Sequence, residues 1–139
     1  VDFVAEELNV SKVILLRGEG FHLDTFFTPA LNKDGYIVAL IICNKILDTQ
    51  SKKNLFNYAN DNNIPVFNIP ENDALGTKKQ TGKFAVNALP LPGILLRPDY
   101  FSNPAIDEQL GELGIKIKIT PTTQFQLSGG SVHCVTNEL

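Results

Sequence analysis

Residues 21–69 and 84–119 repeat one order of elements: strand, strand, helix, strand. Such an order constrains topology strongly, because each copy must cover its own strands with its own helix and then stack on its neighbour. In the first copy, 21–27 (FHLDTFF) reads as a strand and 32–35 as a turn, with Gly35 suited to positive φ. Residues 36–42 (YIVALII) read as a buried strand. Residues 49–62 carry Leu55, Phe56 and Ala59 at helical spacing, with Thr49 or Ser51 as the cap, and 65–69 form the closing strand. In the second copy, 84–89 and 94–96 read as strands joined through 90–93. Asn103 caps a helix with Pro104 in its first position, Asp107 and Glu108 in its first turn and Gly114 at its end. Residues 115–119 (IKIKI) alternate as a half-exposed strand. A helical segment at 1–8 and an apolar strand at 12–16 precede the copies; a polar loop with one helical turn, 70–82, separates them. After them come a loop or short turn at 120–127 and a last strand at 131–136 (SVHCVT), entered through Gly129 and Gly130. The pattern predicts an α/β chain with an incomplete copy at each end, a piece of a larger closed array. A single α/β domain with a chance alternation is the other reading.

Composition narrows the function. The formal net charge is −3, so no basic excess exists to neutralise phosphates, and nucleic acid is not an expected partner. No apolar run approaches the ~18–20 residues of a membrane span, and no signal-peptide pattern opens the chain. Methionine is absent, which reads as a processed, cropped or fragmentary start. The two cysteines, Cys43 and Cys134, lie far apart in sequence and read as free thiols in a reducing compartment, the cytoplasm.

Two motifs carry candidate chemistry. In Gly129-Gly-Ser-Val-His-Cys134 the glycines let backbone approach a ligand closely, and Cys134 follows near a strand start. Cys134 is either a reactive thiol in a cleft or a structural cysteine. In Phe21-His-Leu-Asp24, a strand would put His22 and Asp24 on one face, able to bind a cation and move a proton on the same ligand. The alternative is a surface histidine beside a solvated carboxylate. A strand at 131–136 would turn His133 away from Cys134, which argues for a structural His133. His22 and His133 are the only histidines, and with two distant cysteines they make no metal-ligand set. Gly18-x-Gly20 lacks the third glycine and the following helix of a dinucleotide fingerprint, so no cofactor is expected. Cys43 reads as inert core, Glu71-Asn-Asp73 with Lys78 and Lys79 as a solvated flap, and Arg97 and Asn137 as structural or surface residues.

Together, FHLDTFFT and SGGSVHCVT resemble the guanidino-group-modifying superfamily, which includes arginine deiminases, dimethylarginine dimethylaminohydrolases, agmatine deiminases and amidinotransferases. The order Ile69-Pro-Glu-Asn-Asp73, Phe84-Ala-Val-Asn87, Leu91-Pro-Gly93, Leu113-Gly-Ile115 and the final Gly-Gly is similar to its hydrolase branch. The resemblance implies a five-bladed ββαβ propeller, the pentein fold, of which this chain would be a partial propeller: one domain, 1–139, comprising a part-blade (1–20), two blades (21–69 and 84–119) and a final strand (131–136). It implies Cys134 as nucleophile, His22 as general acid/base, Asp24 as the carboxylate that grips the guanidinium, and Gly129 and Gly130 as the backbone beside the substrate.

The implied activity is that of a guanidino-compound hydrolase working through a covalent cysteine intermediate, without metal. The implied alternatives are half of an amidinotransferase and, from another class, a non-catalytic pentein-like interaction module. Family members are about twice as long and carry further acidic residues before the His-Leu-Asp strand. The expected partners are therefore a small guanidino substrate and an N-terminal half or oligomer partner.

Overall fold

Local hydrogen bonding and apolar burial build two three-stranded sheets, joined through a two-stranded hairpin, from the described residues. The computed structural model describes residues 6–10, 12–19 and 22–136. A 3-10 turn, Leu23–Thr25, leads into β1 (Phe27–Leu31), which pairs antiparallel with β2 (Ile37–Ile42). Between them Asn32 Oδ1 accepts from the amides of Asp34 and Tyr36, and Gly35 takes φ +83° as the turn requires. Helix α1 (Thr49–Asp61) returns the chain to β3 (Val66–Asn68), parallel to β2. A short hairpin, β4 (Gly76–Thr77) and β5 (Gln80–Thr81), follows. The second unit then repeats the first: β6 (Leu89–Leu91) antiparallel to β7 (Ile94–Arg97), α2 (Pro104–Glu112), and β8 (Lys116–Ile119) parallel to β7. A short helix, α3 (Thr123–Gln126), and a second 3-10 turn, His133–Val135, complete the described chain.

The strand orders β1-β2-β3 and β6-β7-β8 are those of two ββαβ units, and no closed barrel forms among the described residues. The units meet through their first strands. β1 contacts β6, Thr28 Oγ1 donates to the carbonyl of Ala88 (3.2 Å), and the amide of Gly93 donates to Leu31 (2.9 Å). One hydrophobic core runs through both units. Ala39 to Cys43 of β2 and its end are buried against Leu55 and Ala59 of α1, and Leu95 of β7 is buried with Ile106 and Leu110 of α2. This is the burial that converts the apolar periodicities into stability.

The helix signals are realised closely. Asn103 caps α2 by accepting from the amide of Ala105, and Gly114 ends it at φ +81°. The cap of α1 is Asp48, one residue before the expected Thr49. Its carboxylate accepts from the amide of Ser51, which lowers its pKa below the ordinary range. That support is present above the unfolded carboxylate's pKa and is lost as pH falls through the lowered folded value. Glu6 and Glu7 are helical, while residues 1–5 of the expected first helix lie outside the described residues.

Four expected strands differ. Residues 12–16 form no ladder; the segment is held just beyond by the Gly18–Leu47 bridge and by Arg17, whose amide donates to Ser51 Oγ (2.7 Å). At 22–25 the amide and hydroxyl of Thr25 both return to the carbonyl of His22 (3.2 and 2.5 Å), closing a turn where a strand was expected. At 84–88 Phe84 takes φ +52° and Asn87 donates its amide to Phe84, so the strand begins only at Leu89. The expected last strand, 131–136, is instead the second 3-10 turn, closed by Val135 to Ser131 and Thr136 to His133. In each of the last three a backbone bond closes within a few residues, and at 84–85 the amides bond instead to Ala74 and Asp73. The 70–82 loop also holds the β4–β5 hairpin, and it is not a solvated flap throughout: Asp73 is fully buried, its carboxylate accepting from the amide and hydroxyl of Ser102 and paired with Lys83. Among the described residues no helix is long and apolar enough to cross a membrane.

Candidate active site

The two 3-10 turns and the 84–88 turn, three segments expected as strands, meet at one place. The first turn carries Asp24, the 84–88 turn carries Asn87 and the last turn carries His133 and Cys134. Asn87 is completely buried, and a buried carboxamide needs hydrogen bonds to offset its lost hydration. It makes them to both other segments. Nδ2 donates to Asp24 Oδ2 (2.7 Å) and to Cys134 Sγ (3.3 Å), Oδ1 accepts from the Cys134 amide (3.5 Å), and the Asn87 carbonyl accepts from the His133 amide (3.4 Å). The Cys134 thiol donates to Asp24 Oδ2 (3.3 Å), and His133 Nδ1 lies 3.0 Å from the same oxygen.

Sequence reasoning paired Asp24 with Cys134, and the structure brings them together across 110 positions of chain. His22 is exposed, at the extended residue that opens the Asp24 turn. Leu23, which a strand would turn away from His22 and Asp24 into the core, is exposed on the turn. The expected separation of His133 from Cys134 also fails. A strand would send them to opposite faces, but the 3-10 turn lets both reach Asp24. Asn87 is the residue that sequence reasoning missed as a site group. Its signals were a carboxamide set in an apolar run, Phe84-Ala-Val-Asn-Ala-Leu89, and its place in the Phe84-Ala-Val-Asn87 segment of the family resemblance.

Gly129 takes φ +86°. At Gly130, a Cβ would lie 3.1 Å from Cys134 Cβ and 3.3 Å from Sγ, so the absence of a side chain makes room for the cysteine itself. Ser131 and Thr122, both buried, share a hydrogen bond of 2.6 Å that ties this turn to the start of α3.

An open cleft of ≈ 360 Å³ adjoins the cluster, with Asp24, His133, Leu23, Phe27 and Pro90 in its lining. A larger cleft of ≈ 620 Å³ lies between residues 12–16, the β1–β2 pair and α1, and is mostly apolar, with Lys12 and Tyr58 its titratable groups. The smaller cleft is the one that meets a carboxylate and, through Asp24 and His133, the exposed thiol. Cys134 is exposed and Cys43 buried, both free, and burial pushes the Cys43 thiol pKa up. No group of three or more His, Cys, Asp or Glu side chains among the described residues could hold a metal ion. Arg97 is fully buried and paired with Asp107, a structural placement, while Asn137 lies outside the described residues.

No family model and no curated protein matches the chain. Solved structures do. The N-terminal domain of ArgZ, an arginine dihydrolase from the ornithine–ammonia cycle in cyanobacteria, bound to product, superposes with a TM-score of 0.71 at 25% identity, over 96% of this chain and 44% of that one. AgrE in ternary complex with ornithine and NAD+ gives 0.70 at 25% identity, over 88% of this chain and 16% of that one. SxtG, an amidinotransferase of the saxitoxin pathway from Microseira wollei, gives 0.60 at 13% identity, over 96% of this chain and 36% of that one, a likeness of fold alone. The chain therefore spans less than half the length of each of these proteins. Its two ββαβ units are part of a pentein-type propeller, the fold of the guanidino-group-modifying enzymes.

Proposed function

We propose that this chain is the nucleophile-bearing, C-terminal portion of a guanidino-compound hydrolase of the arginine dihydrolase or deiminase type. The observation that carries the reading is the meeting of Asp24, Asn87 and Cys134 within 3.3 Å beside an open cleft. The description of ArgZ as an arginine dihydrolase favours hydrolysis over amidino transfer.

A guanidinium carbon is deactivated by resonance, so catalysis needs the cation held flat and a strong nucleophile in line. Asp24 would exchange its contacts with His133 and the thiol for the N–H fork of the substrate, a charge-assisted pair of hydrogen bonds. Cys134, as thiolate, forms a C–S bond to the guanidinium carbon. The C–N bond then breaks, and the departing amine takes a proton from His22. Water, losing a proton to His22, attacks the resulting S-amidino group and releases the thiolate. Gly129 and Gly130 leave the backbone beside the sulfur open to the substrate. The rest of the propeller, from another part of the protein or a partner chain, supplies the remaining substrate contacts. A free thiol nucleophile suits the reducing cytoplasm, where we place the protein.

The two histidines give the test. In the full-length protein, His22→Ala is expected to lower kcat about 10²–10⁴-fold, the usual worth of a general acid/base. His133→Ala removes only a contact to Asp24 and is expected to leave partial activity. Product formation from arginine, agmatine and dimethylarginine, read by mass spectrometry, measures both. If only His133→Ala inactivates, the acid/base assignment is wrong.

A further inference from the structure

We infer that Asn87 is a positioning residue for the reactive thiol, an inference that rests on reading Cys134 as the nucleophile and gives the reaction a group that the two terminal motifs do not contain. The mechanism asks a thiolate to work beside a carboxylate. Cys134 Sγ and Asp24 Oδ2 lie 3.3 Å apart, and once the sulfur has lost its proton these are two negative groups in contact. The Asn87 carboxamide answers that repulsion. Its Nδ2 bears two hydrogens and reaches both atoms, Asp24 Oδ2 at 2.7 Å and Sγ at 3.3 Å, as well as the Asp24 carbonyl at 3.3 Å, so one carboxamide can donate to the carboxylate and to the sulfur.

The carboxamide is fixed by more than these two bonds. Asn87 is completely buried, its amide donates to Phe84, and its Oδ1 and carbonyl hold the amides of Cys134 and His133. Rotating the side chain to release the sulfur would therefore break other contacts too. A group so held stabilises charge on the sulfur without reorganising during the reaction. Among the described residues, the titratable groups around the sulfur are Asp24 on the first 3-10 turn, bonded to it, and His133 on its own turn, 3.0 Å from the same carboxylate oxygen, with His22 opening the Asp24 turn.

The test is the pH dependence of Cys134 alkylation by iodoacetamide, measured by mass spectrometry on the intact protein, with far-UV circular dichroism as the check on folding. Asn87→Asp keeps the side-chain shape, removes the N–H donors and adds a negative charge. It is expected to move the alkylation midpoint to higher pH and to slow labelling near neutrality about tenfold, while leaving the high-pH plateau rate unchanged. Asn87→Ala, which only removes the donors, is expected to shift the midpoint the same way by less.

A purely structural Asn87 would change access to the sulfur. It would lower or raise the plateau with the midpoint fixed, and that result, or superposed profiles, overturns the inference. The readout needs no turnover. A shifted midpoint in a protein that processes no guanidino compound would support the placement of Asn87 while removing the hydrolase reading. Turnover with unshifted midpoints would do the reverse.

Discussion

Cys134→Ser is expected to abolish turnover of any guanidino substrate, by about four orders of magnitude or more, while leaving folding stability within about 0.5 kcal/mol of the unsubstituted protein. The two halves of this expectation have separate causes. The side chain is exposed at the surface of a turn, so replacing sulfur by oxygen removes little packing. The chemistry is another matter. A thiol reaches its nucleophilic anion near neutral pH and a serine hydroxyl does not, and the groups around the sulfur are a carboxylate, a carboxamide and an imidazole already engaged with that carboxylate. A serine here would stay protonated where the sulfur can act as an anion. Single-turnover product formation and a thermal melt check the pair of statements. A serine variant with substantial turnover would put the nucleophile elsewhere.

The largest stability effect is expected far from the cleft, at Asp107. Arg97 ends β7 with its side chain fully buried, its guanidinium 3.8 Å from the Phe101 ring centroid and Nη2 donating to Asp107 Oδ2 in the first turn of α2. Burial pushes the guanidinium pKa down, and the bond to Asp107 pushes it back up. Nε and Nη1 of Arg97 and Oδ1 of Asp107 are buried without partners among the described residues, so the pair already carries a desolvation cost. Asp107→Ala removes the carboxylate bonded to this buried cation, leaving only the more distant charge of Asp99, and is expected to cost about 3–5 kcal/mol. Joint replacement, Arg97→Met with Asp107→Leu, removes the orphaned donors as well and is expected to recover most of that loss. Urea titrations read both variants from the midpoint, provided the slope is unchanged. An Asp107→Ala protein within about 0.5 kcal/mol of the parent would show that water reaches the guanidinium and screens it.

The sequence was most legible where apolar periodicity and capping act together. Asn103, Pro104 and Gly114 bracket α2 as expected, and the β-branched run of β2 sits at the centre of its sheet. The repeated ββαβ order could be read because each unit is built from contacts within it, and its helix and strands each carry their own pattern. The site was legible in composition but not in shape. Asp24 and Cys134 were picked out by residue type. The segments holding them, with their Thr25, Val132 and Val135, read as strands, yet strand propensity is expressed only against a neighbouring edge. Here Thr25 bonds back to His22, Asn87 to Phe84 and Val135 to Ser131, and three turns result. That substitution of turn for strand brings His133 onto Asp24, against the alternation rule. Asn87 stood in a segment of the resemblance but was given no role, because its contacts span 47 and 63 positions, which no local pattern encodes.

The central claim is that Asp24 and Cys134 form one site for a planar cation, and paired labelling tests it directly. The native protein is exposed to an equimolar mixture of 2-chloroacetamidine, which is cationic, and chloroacetamide, which is neutral, and each cysteine's products are counted by peptide mass spectrometry. Cys134 is expected to react far faster than buried Cys43, and to favour the amidine over the amide more strongly than it does in the denatured chain. Asp24→Asn should erase that excess preference. Equal slow labelling of both thiols, or the same amidine-to-amide ratio at Cys134 in native and denatured protein, would contradict the account.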